Sequence, residues 1–239
     1  MAAAGAPSPV LLVGSPLLGG GMWEPVAALL RGAGRQVRVI PAPGAPVARP
    51  RDVPEVLART LAAIPRDVPV VLVVHSNAGN LVPGIVCERE VLAAVFVDAV
   101  VPAASGTSAV APLVLVEQLA PLADDAGLLP PWSRWFPDDA IGELGLEPAV
   151  LDELRRQEPR VPLSYLTDAF HVPSGWRESV PCAYVAFGTT YAREQRLAAS
   201  LGWPVVVLDG RHLHPLVAPD EVAAAISSTL DALLPSSSA

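Results

Sequence analysis

Short runs of apolar residues alternate with longer amphipathic stretches along most of the chain. The apolar runs are rich in valine and leucine, as expected of parallel strands that are covered on both faces. They lie at 10–13, 36–40, 70–74, 94–98, 183–187 and 205–208. The stretches with helical spacing lie at 23–33, 54–64, 79–89, 192–201 and 220–234. This alternation predicts an α/β fold with a mainly parallel sheet flanked by helices.

The interval between about 102 and 181 breaks this alternation. It contains no convincing strand, and its apolar residues fall into short segments separated by proline-rich turns. We interpret residues 103–180 as a helical cap inserted into the α/β core, which comprises 1–102 and 181–239, so that the chain forms one structural domain overall.

Several aromatic side chains are concentrated in this predicted cap. They are Trp132, Trp135, Phe136, Tyr165, Phe170 and Trp176. Aromatic residues in a cap either form its own small core or line an apolar cavity with a few polar groups. We expect two or three of them to contact a ligand, with Trp132, Trp135 and Tyr165 as the candidates.

The apolar run at 70–74 leads directly into a serine, Ser76, which is followed by small residues and a predicted helix. A tight strand-to-helix reversal would strain the backbone of the serine and expose its hydroxyl above the sheet. The helix N-terminus behind it would place N–H groups beside a developing oxyanion. The alternative is a serine that only caps a helix of a doubly wound sheet.

Residues 74–79 resemble the G-x-S-x-G nucleophile elbow of the α/β hydrolases, although Val74 replaces the first glycine and Ala78 the second. Residues 209–219 resemble the G-x-G-H-F-x-H-x-x-x-P ending of many of these enzymes. The resemblance covers 8–102 and 181–236. It implies that Ser76 is the nucleophile and that His212 is the base, which a serine hydroxyl needs at neutral pH.

The glycine-rich loop after the first strand resembles the "H-G … W-x-P-V" opening of the same family, in which this loop supplies an oxyanion donor. Alignment on Trp23 gives that role to the N–H of Ser15, beside the N–H of Asn77. A register one residue later falls on Pro16, which has no N–H, and Leu17 is then the candidate. The loop lacks the lysine and spacing of a nucleotide-binding loop.

In this family a carboxylate completes a catalytic triad with the serine and the histidine. The sequence marks this acid less clearly than it marks Ser76 and His212. The family usually places it after the strand that precedes the histidine strand, but 188–191 contains no carboxylate. Some members place it one strand earlier, where Asp98 ends an apolar run. We therefore choose Asp98 to orient His212, and leave open that it only caps a turn. Glu194 is expected on a helix surface, and Asp209 is very close in sequence to the histidine.

Composition excludes several classes of partner. The chain has 239 residues, of which 51% are hydrophobic, and a formal net charge of −8, which disfavours nucleic acids and anionic membranes. No apolar stretch approaches the roughly 18 residues of a membrane span. A signal peptide would require Lys or Arg before its apolar region, and neither precedes the first apolar run of this chain. Cys87 and Cys182 fit reduced, buried thiols, which predicts a cytoplasmic protein.

These features together predict a serine hydrolase that cleaves an ester or thioester of a hydrophobic small molecule through an acyl-enzyme, without metal or cofactor. Two alternatives stay open. One is a non-hydrolytic enzyme of the same fold, a lyase or cyclase of specialised metabolism. The other is a small-molecule receptor with a degenerate triad. The sequence also leaves a homodimer open.

Overall fold

A computed structural model describes residues 8–19, 21–40 and 52–234. The strands are β1 (Val10–Val13), β2 (Val37–Ile40), β3 (Val70–Ser76), β4 (Val91–Ala99), β5 (Gly106–Ala109), β6 (Ala169–Val172), β7 (Cys182–Phe187) and β8 (Val205–Leu208). All of them except β5 and β6 form one parallel sheet, in the order β2-β1-β3-β4-β7-β8. The predicted α/β fold with a mainly parallel sheet is confirmed.

Helices connect these strands and cover the sheet. They are α1 (Glu24–Gly32), α2 (Val53–Ala63), α3 (Val82–Glu88), α4 (Leu113–Leu119), α5 (Asp138–Gly142), α6 (Pro148–Gln157), α7 (Leu163–Thr167), α8 (Trp176–Ser179), α9 (Ala192–Ser200), α10 (His214–Val217) and α11 (Pro219–Leu233). Helix α1 packs against α11, and α2 packs against α3. None of the described helices is both long and apolar enough to cross a bilayer.

The central strand β3 carries the site. Every residue of β3 is buried, and β1 and β4 pair with it on either side. Strands covered on both faces can be apolar throughout, which is why the sequence of β3 shows no alternation. Because the sheet is parallel, the carboxyl ends of its strands lie at one edge, where α/β proteins bind their ligands.

The expectation that 102–181 contains no strand is wrong at two places. Strands β5 and β6 pair in antiparallel register, with Gly106 opposite Val172 and Ala109 opposite Ala169. Both have only four residues, and β5 consists of small and polar residues that are mostly exposed. A strand of this kind leaves no apolar pattern to detect. The rest of the interval forms short helices and turns, so the division into core and cap stays a prediction.

The two cysteines lie in different environments. Cys182 is buried in β7, as predicted, whereas Cys87 is exposed on α3, so the expectation of two buried thiols is wrong for Cys87. Helix α3 buries Val82, Pro83 and Ile85 against the core and turns Cys87 towards solvent. Both thiols are free.

Candidate active site

Ser76 ends β3 in a strained conformation, with φ 56° and ψ −129°. A 3-10 helix, Asn77–Leu81, follows it at once, and α3 begins only at Val82, later than the predicted start at 79. The turn needs a glycine at 79, because a Cβ there would lie 2.0 Å from the carbonyl oxygen of Val100. Close packing therefore holds Ser76 in a conformation that a non-glycine residue rarely adopts.

Asp98 is the only other non-glycine residue with positive φ among those described, at 41°. In the ladder between β3 and β4, His75 is opposite Val97 and Ser76 is opposite Ala99, so Asp98 has no partner across the strands. Such a bulge redirects a side chain locally, and bulges are common beside active sites. Here it directs Asp98 towards the next strand, where Oδ1 accepts a hydrogen bond from the Phe187 N–H at 3.3 Å.

Ser76, His212 and Asp98 meet at the carboxyl edge of the sheet. The Nε2 of His212 lies 3.1 Å from the Oγ of Ser76, and its Nδ1 lies 2.7 Å from the Oδ2 of Asp98. All three side chains are buried. A carboxylate at Nδ1 favours the tautomer with hydrogen on that nitrogen, which leaves a lone pair on Nε2 facing the serine. In this arrangement His212 can accept the serine proton.

The other acids weighed for this role do not contact His212. Asp209 is exposed, and Glu194 lies on α9 without a hydrogen bond to the imidazole among the described contacts. The second histidine of the 209–219 segment, His214, is hydrogen-bonded to Glu221 instead, with Nε2 of His214 3.2 Å from Oε2 of Glu221. Within the described ranges, no group of three or more His, Cys, Asp or Glu side chains could hold a metal ion.

His75 packs beneath the base. Its ring stacks on His212 with centroids 4.5 Å apart, and its Nε2 lies 3.0 Å from the His212 carbonyl oxygen. A carbonyl only accepts, so Nε2 carries the hydrogen. Burial lowers the pKa of His75 well below its usual value, and the neighbouring His212 lowers it further. A neutral His75 supports both the backbone and the ring of His212.

Two candidate oxyanion donors border the cavity in front of Ser76, namely Asn77 and Leu17. Ser15 is fully buried and is not among the residues that line this cavity. Its Oγ instead accepts a hydrogen bond from the N–H of Leu17 at 3.2 Å, and its carbonyl accepts one from Leu18 at 3.1 Å. Ser15 thus shapes the turn that presents Leu17.

The cavity has a volume of about 300 Å³, and its wall is mostly apolar. Trp132 and Trp135 line it as predicted, and Phe136 lines it beside them. The Trp132 ring lies 5.9 Å from the imidazole of His212. Tyr165 is not part of this wall: it is fully buried, and its hydroxyl donates to Oδ1 of Asn77 at 2.8 Å. Its role is therefore to link the cap segment to the nucleophile turn.

Tyr191 is the residue that sequence reasoning missed. Its hydroxyl lies 3.2 Å from the Oγ of Ser76, and its ring centroid lies 5.4 Å from that of His212. Burial raises the pKa of this phenol, which keeps it protonated and able to donate. The only available signal was its position, in the turn after β7 at the carboxyl edge of the sheet.

Glu194 lies on helix α9, as expected, but on a face of the helix that borders the site. It is half-buried and lines the cavity with Ser76. Helix α9 begins at Ala192, directly after the turn that holds Tyr191, so its first turn lies at the edge of the site. The periodicity of α9 could not show this, because its first turn faces a cavity and not the core.

A nucleophile turn between a central parallel strand and a helix, with a histidine supplied after the last strand, is the arrangement of the α/β-hydrolase fold. Residues 10–225 match the model of a family described as the alpha/beta hydrolase family. The match covers most of the chain, and this protein belongs to that family. No curated protein sequence matches the chain.

Solved structures of this fold are similar over nearly the whole chain. An extracellular alpha/beta-hydrolase from a Paenibacillus species has a TM-score of 0.71 at 17% identity, covering 93% of this chain and 99% of that chain. A variant of polyneuridine aldehyde esterase has a TM-score of 0.69 at 17% identity, with coverages of 92% and 98%. A variant of tomato methylketone synthase I has a TM-score of 0.68 at 13% identity, with coverages of 95% and 99%. At these identities the similarity shows the fold alone.

Proposed function

We propose that this protein is a serine hydrolase that cleaves an ester or thioester of a hydrophobic small molecule through an acyl-enzyme. The observation that supports it most is the hydrogen-bonded chain from Asp98 through His212 to Ser76, which ends at the wall of an apolar cavity. The strained backbone of Ser76 is a second support, because strain is stored where geometry serves a function.

In the proposed acylation, the Oγ of Ser76 attacks the carbonyl carbon of the substrate while Nε2 of His212 takes the serine proton. Asp98 stabilises the imidazolium that forms. Collapse of the tetrahedral intermediate breaks the bond to the leaving group, and His212 returns the proton to the departing alcohol or thiol. The acyl group then remains on Ser76.

The negative charge on the tetrahedral oxygen requires hydrogen-bond donors. We assign this role to the N–H of Asn77, at the start of the 3-10 helix, and to the N–H of Leu17. In the free protein the Leu17 N–H donates a hydrogen bond to the Oγ of Ser15. The substrate oxygen would replace this Oγ as the acceptor. In other hydrolases, removing one such donor lowers kcat by a factor of roughly 10²–10³.

Deacylation repeats these steps with water as the nucleophile and His212 as its base. The Oγ of Ser76 is now the leaving group, and the hydroxyl of Tyr191 is placed to donate to it. Tyr191 would thus stabilise the charge that returns to Oγ. Because its pKa is raised, it acts as a neutral donor throughout.

Three further observations support the substrate class and location. The rings of Trp132, Trp135 and Phe136 favour a hydrophobic group beside the scissile bond. One structural neighbour is named an esterase. An exposed free thiol at Cys87 fits the reducing cytoplasm in which we propose that the enzyme acts.

Labelling with a fluorophosphonate probe tests the proposal directly. We expect the folded wild-type protein to be labelled and Ser76→Ala to lose the label, because the probe reacts only with an activated serine. Ser200→Ala is the matched control: its hydroxyl bonds to the Leu197 carbonyl on α9, away from the site, and labelling should persist.

Failure of the folded wild-type protein to react would contradict the hydrolase. Turnover that survives in Ser76→Ala but is lost in His212→Ala would indicate the lyase or cyclase alternative instead. Tight ligand binding without turnover, unaffected by His212→Ala, would indicate the receptor.

A further inference from the structure

A second cavity, of about 320 Å³, adjoins the one in front of Ser76. Five residues line both cavities and form a shared wall: Val100, Val110, Ala111, Pro112 and Glu194. The two cavities are therefore adjacent, and a long substrate with its carbonyl at Ser76 would reach the second cavity by lying across these shared residues. The lining of that cavity bears on what such a molecule carries at its far end.

Two arginines, Arg177 and Arg193, line the second cavity. Within the described ranges, neither guanidinium forms an ion pair with a carboxylate. This is notable in a chain with 24 acidic and only 16 basic residues, where carboxylate partners are plentiful. Two arginines that converge on a cavity without such partners are suited to an anionic ligand, because the guanidinium binds carboxylates with paired hydrogen bonds.

Arg177 is held in place by the surrounding structure. Its guanidinium donates to the Pro102 carbonyl and lies 5.4 Å from the ring centroid of Trp176. Its Nε is enclosed and has no hydrogen-bond partner among the described atoms. Burial lowers the pKa of Arg177, although an arginine stays charged at neutral pH. An anion in the cavity would offset the cost of enclosing this charge.

Arg193 is the second arginine in the lining of this cavity. It is exposed on the first turn of α9, next to Glu194, which lies in the shared wall. Glu194 lines both cavities: its negative charge is offset by the two arginines in the second cavity, whereas no arginine or lysine among the described residues lines the cavity in front of Ser76. The charges therefore favour one orientation of a substrate that has a neutral reacting end and an anionic far end.

We propose that the second cavity is a subsite for a carboxylate at the far end of the substrate. The substrate class is then an ester or thioester whose acyl part is an apolar chain that ends in a carboxylate. This inference rests on the proposed function for the position of the scissile carbonyl, and on Arg177 and Arg193 for the position of the anion.

Pairs of p-nitrophenyl esters test the subsite. One member of each pair is the half-ester of adipic, suberic or sebacic acid, and the other is the ester of hexanoic, octanoic or decanoic acid. Shorter diacids are avoided because their own carboxylate attacks the ester. We expect the wild type to give a higher kcat/KM for the half-ester in at least one pair.

Arg193→Gln should lower the ratio of the two kcat/KM values about tenfold, as expected for loss of a charge-assisted hydrogen bond. Arg193→Lys should recover part of it, because the charge remains but the paired geometry is lost. Arg177→Gln should act in the same direction as Arg193→Gln. Arg196→Gln is the control: it removes the same charge from an exposed position of α9 that lines neither cavity. Its ratio should equal that of the wild type.

A binding measurement separates this inference from the proposed function. Calorimetry on Ser76→Ala compares monomethyl suberate with methyl octanoate, and repeats both with Arg193→Gln added. Tighter binding of the half-ester that depends on Arg193 supports the subsite even if no ester is turned over. Equal binding and equal kcat/KM within every pair, unaffected by either arginine variant, would overturn it.

Discussion

Asp98 reaches His212 because the ladder between β3 and β4 skips this residue. Its positive φ and its place in the bulge direct the carboxylate towards β7 and His212. One oxygen then bonds to Nδ1 of His212 and the other to the N–H of Phe187, so both oxygens of a buried carboxylate have partners. A buried carboxylate satisfied in this way is suited to orient a base.

We predict that Asp98→Asn lowers kcat by about 10⁴ while the protein still folds, because the amide no longer enforces the tautomer that leaves Nε2 free. Steady-state kinetics with p-nitrophenyl esters, with circular dichroism as the check on folding, measures this. Asp209→Asn is the control, since this carboxylate is exposed and only three positions from His212. A near-wild-type kcat in Asp98→Asn would remove Asp98 from the mechanism.

At the scale of single residues, the sequence could predict the candidate site residues that lie at or shortly after the end of an apolar run. Ser76, His212 and Asp98 each follow an apolar run, and parallel strands bring their carboxyl ends to one edge. Tyr191 and Glu194 could not be predicted, because their positions depend on how the turn after β7 folds. Trp135 and Tyr165 looked equivalent by sequence, yet only packing decides that one lines the cavity and the other is buried.

The nucleophile turn is the element whose geometry is most restricted. The chain leaves β3, forms the 3-10 helix Asn77–Leu81 and enters α3, all while passing close to the end of β4. The nearest approach is at Gly79, where any side chain would meet the backbone of Val100. The turn therefore depends on this glycine for space.

We predict that Gly79→Ala lowers the free energy of unfolding by about 2–3 kcal/mol, because the added methyl forces β4 and the turn apart. Urea denaturation measures this loss. Gly32→Ala, at the end of α1, is the matched control: a Cβ there meets nothing within 4 Å. It should stabilise the protein by roughly 0.5–1 kcal/mol, as alanine does in helices. Equal effects of the two substitutions would contradict the close approach at Gly79.

The sequence predicts those strands and helices whose burial requires a recognisable pattern of apolar residues. The strands of the parallel sheet are apolar because both faces are covered, and each was found close to its observed bounds. Strands β5 and β6 were missed because each has only four residues: β5 is mostly exposed, and β6 buries only Phe170 and Val172. The start of α3 was placed too early because a 3-10 helix carries the same small residues as a first helical turn.

At the scale of the whole molecule, a buried polar contact links the 103–180 segment to the nucleophile turn. Tyr165 of α7 donates to Oδ1 of Asn77 at 2.8 Å, and Nδ2 of Asn77 donates to the carbonyl of Val110 at 3.1 Å. Asn77 follows Ser76 directly, so the position of the 103–180 segment is linked to that of the proposed oxyanion donor. Long-range contacts of this kind leave no trace in local sequence patterns.

We predict that Tyr165→Phe lowers the free energy of unfolding by about 1–2 kcal/mol, since Oδ1 of Asn77 is left buried without its donor. We also expect a lower kcat, because Asn77 loses a contact that fixes its backbone. Thermal unfolding and ester kinetics measure the two effects. Ser164→Ala, exposed on the same helix, should change neither. Unchanged kinetics in Tyr165→Phe would show that the cap segment does not hold the donor in place.

Because the carboxylate of Asp98 lies on β4, other parts of the site can change without displacing it. Ser76 and Asp98, the proposed nucleophile and acid, lie on adjacent strands that are joined by backbone hydrogen bonds, so the sheet itself maintains their separation. The turn after β7 therefore does not have to supply the carboxylate that orients His212. This turn and the first turn of α9, which here carry Tyr191, Arg193 and Glu194, can therefore change in sequence and length without moving Ser76 and Asp98 apart.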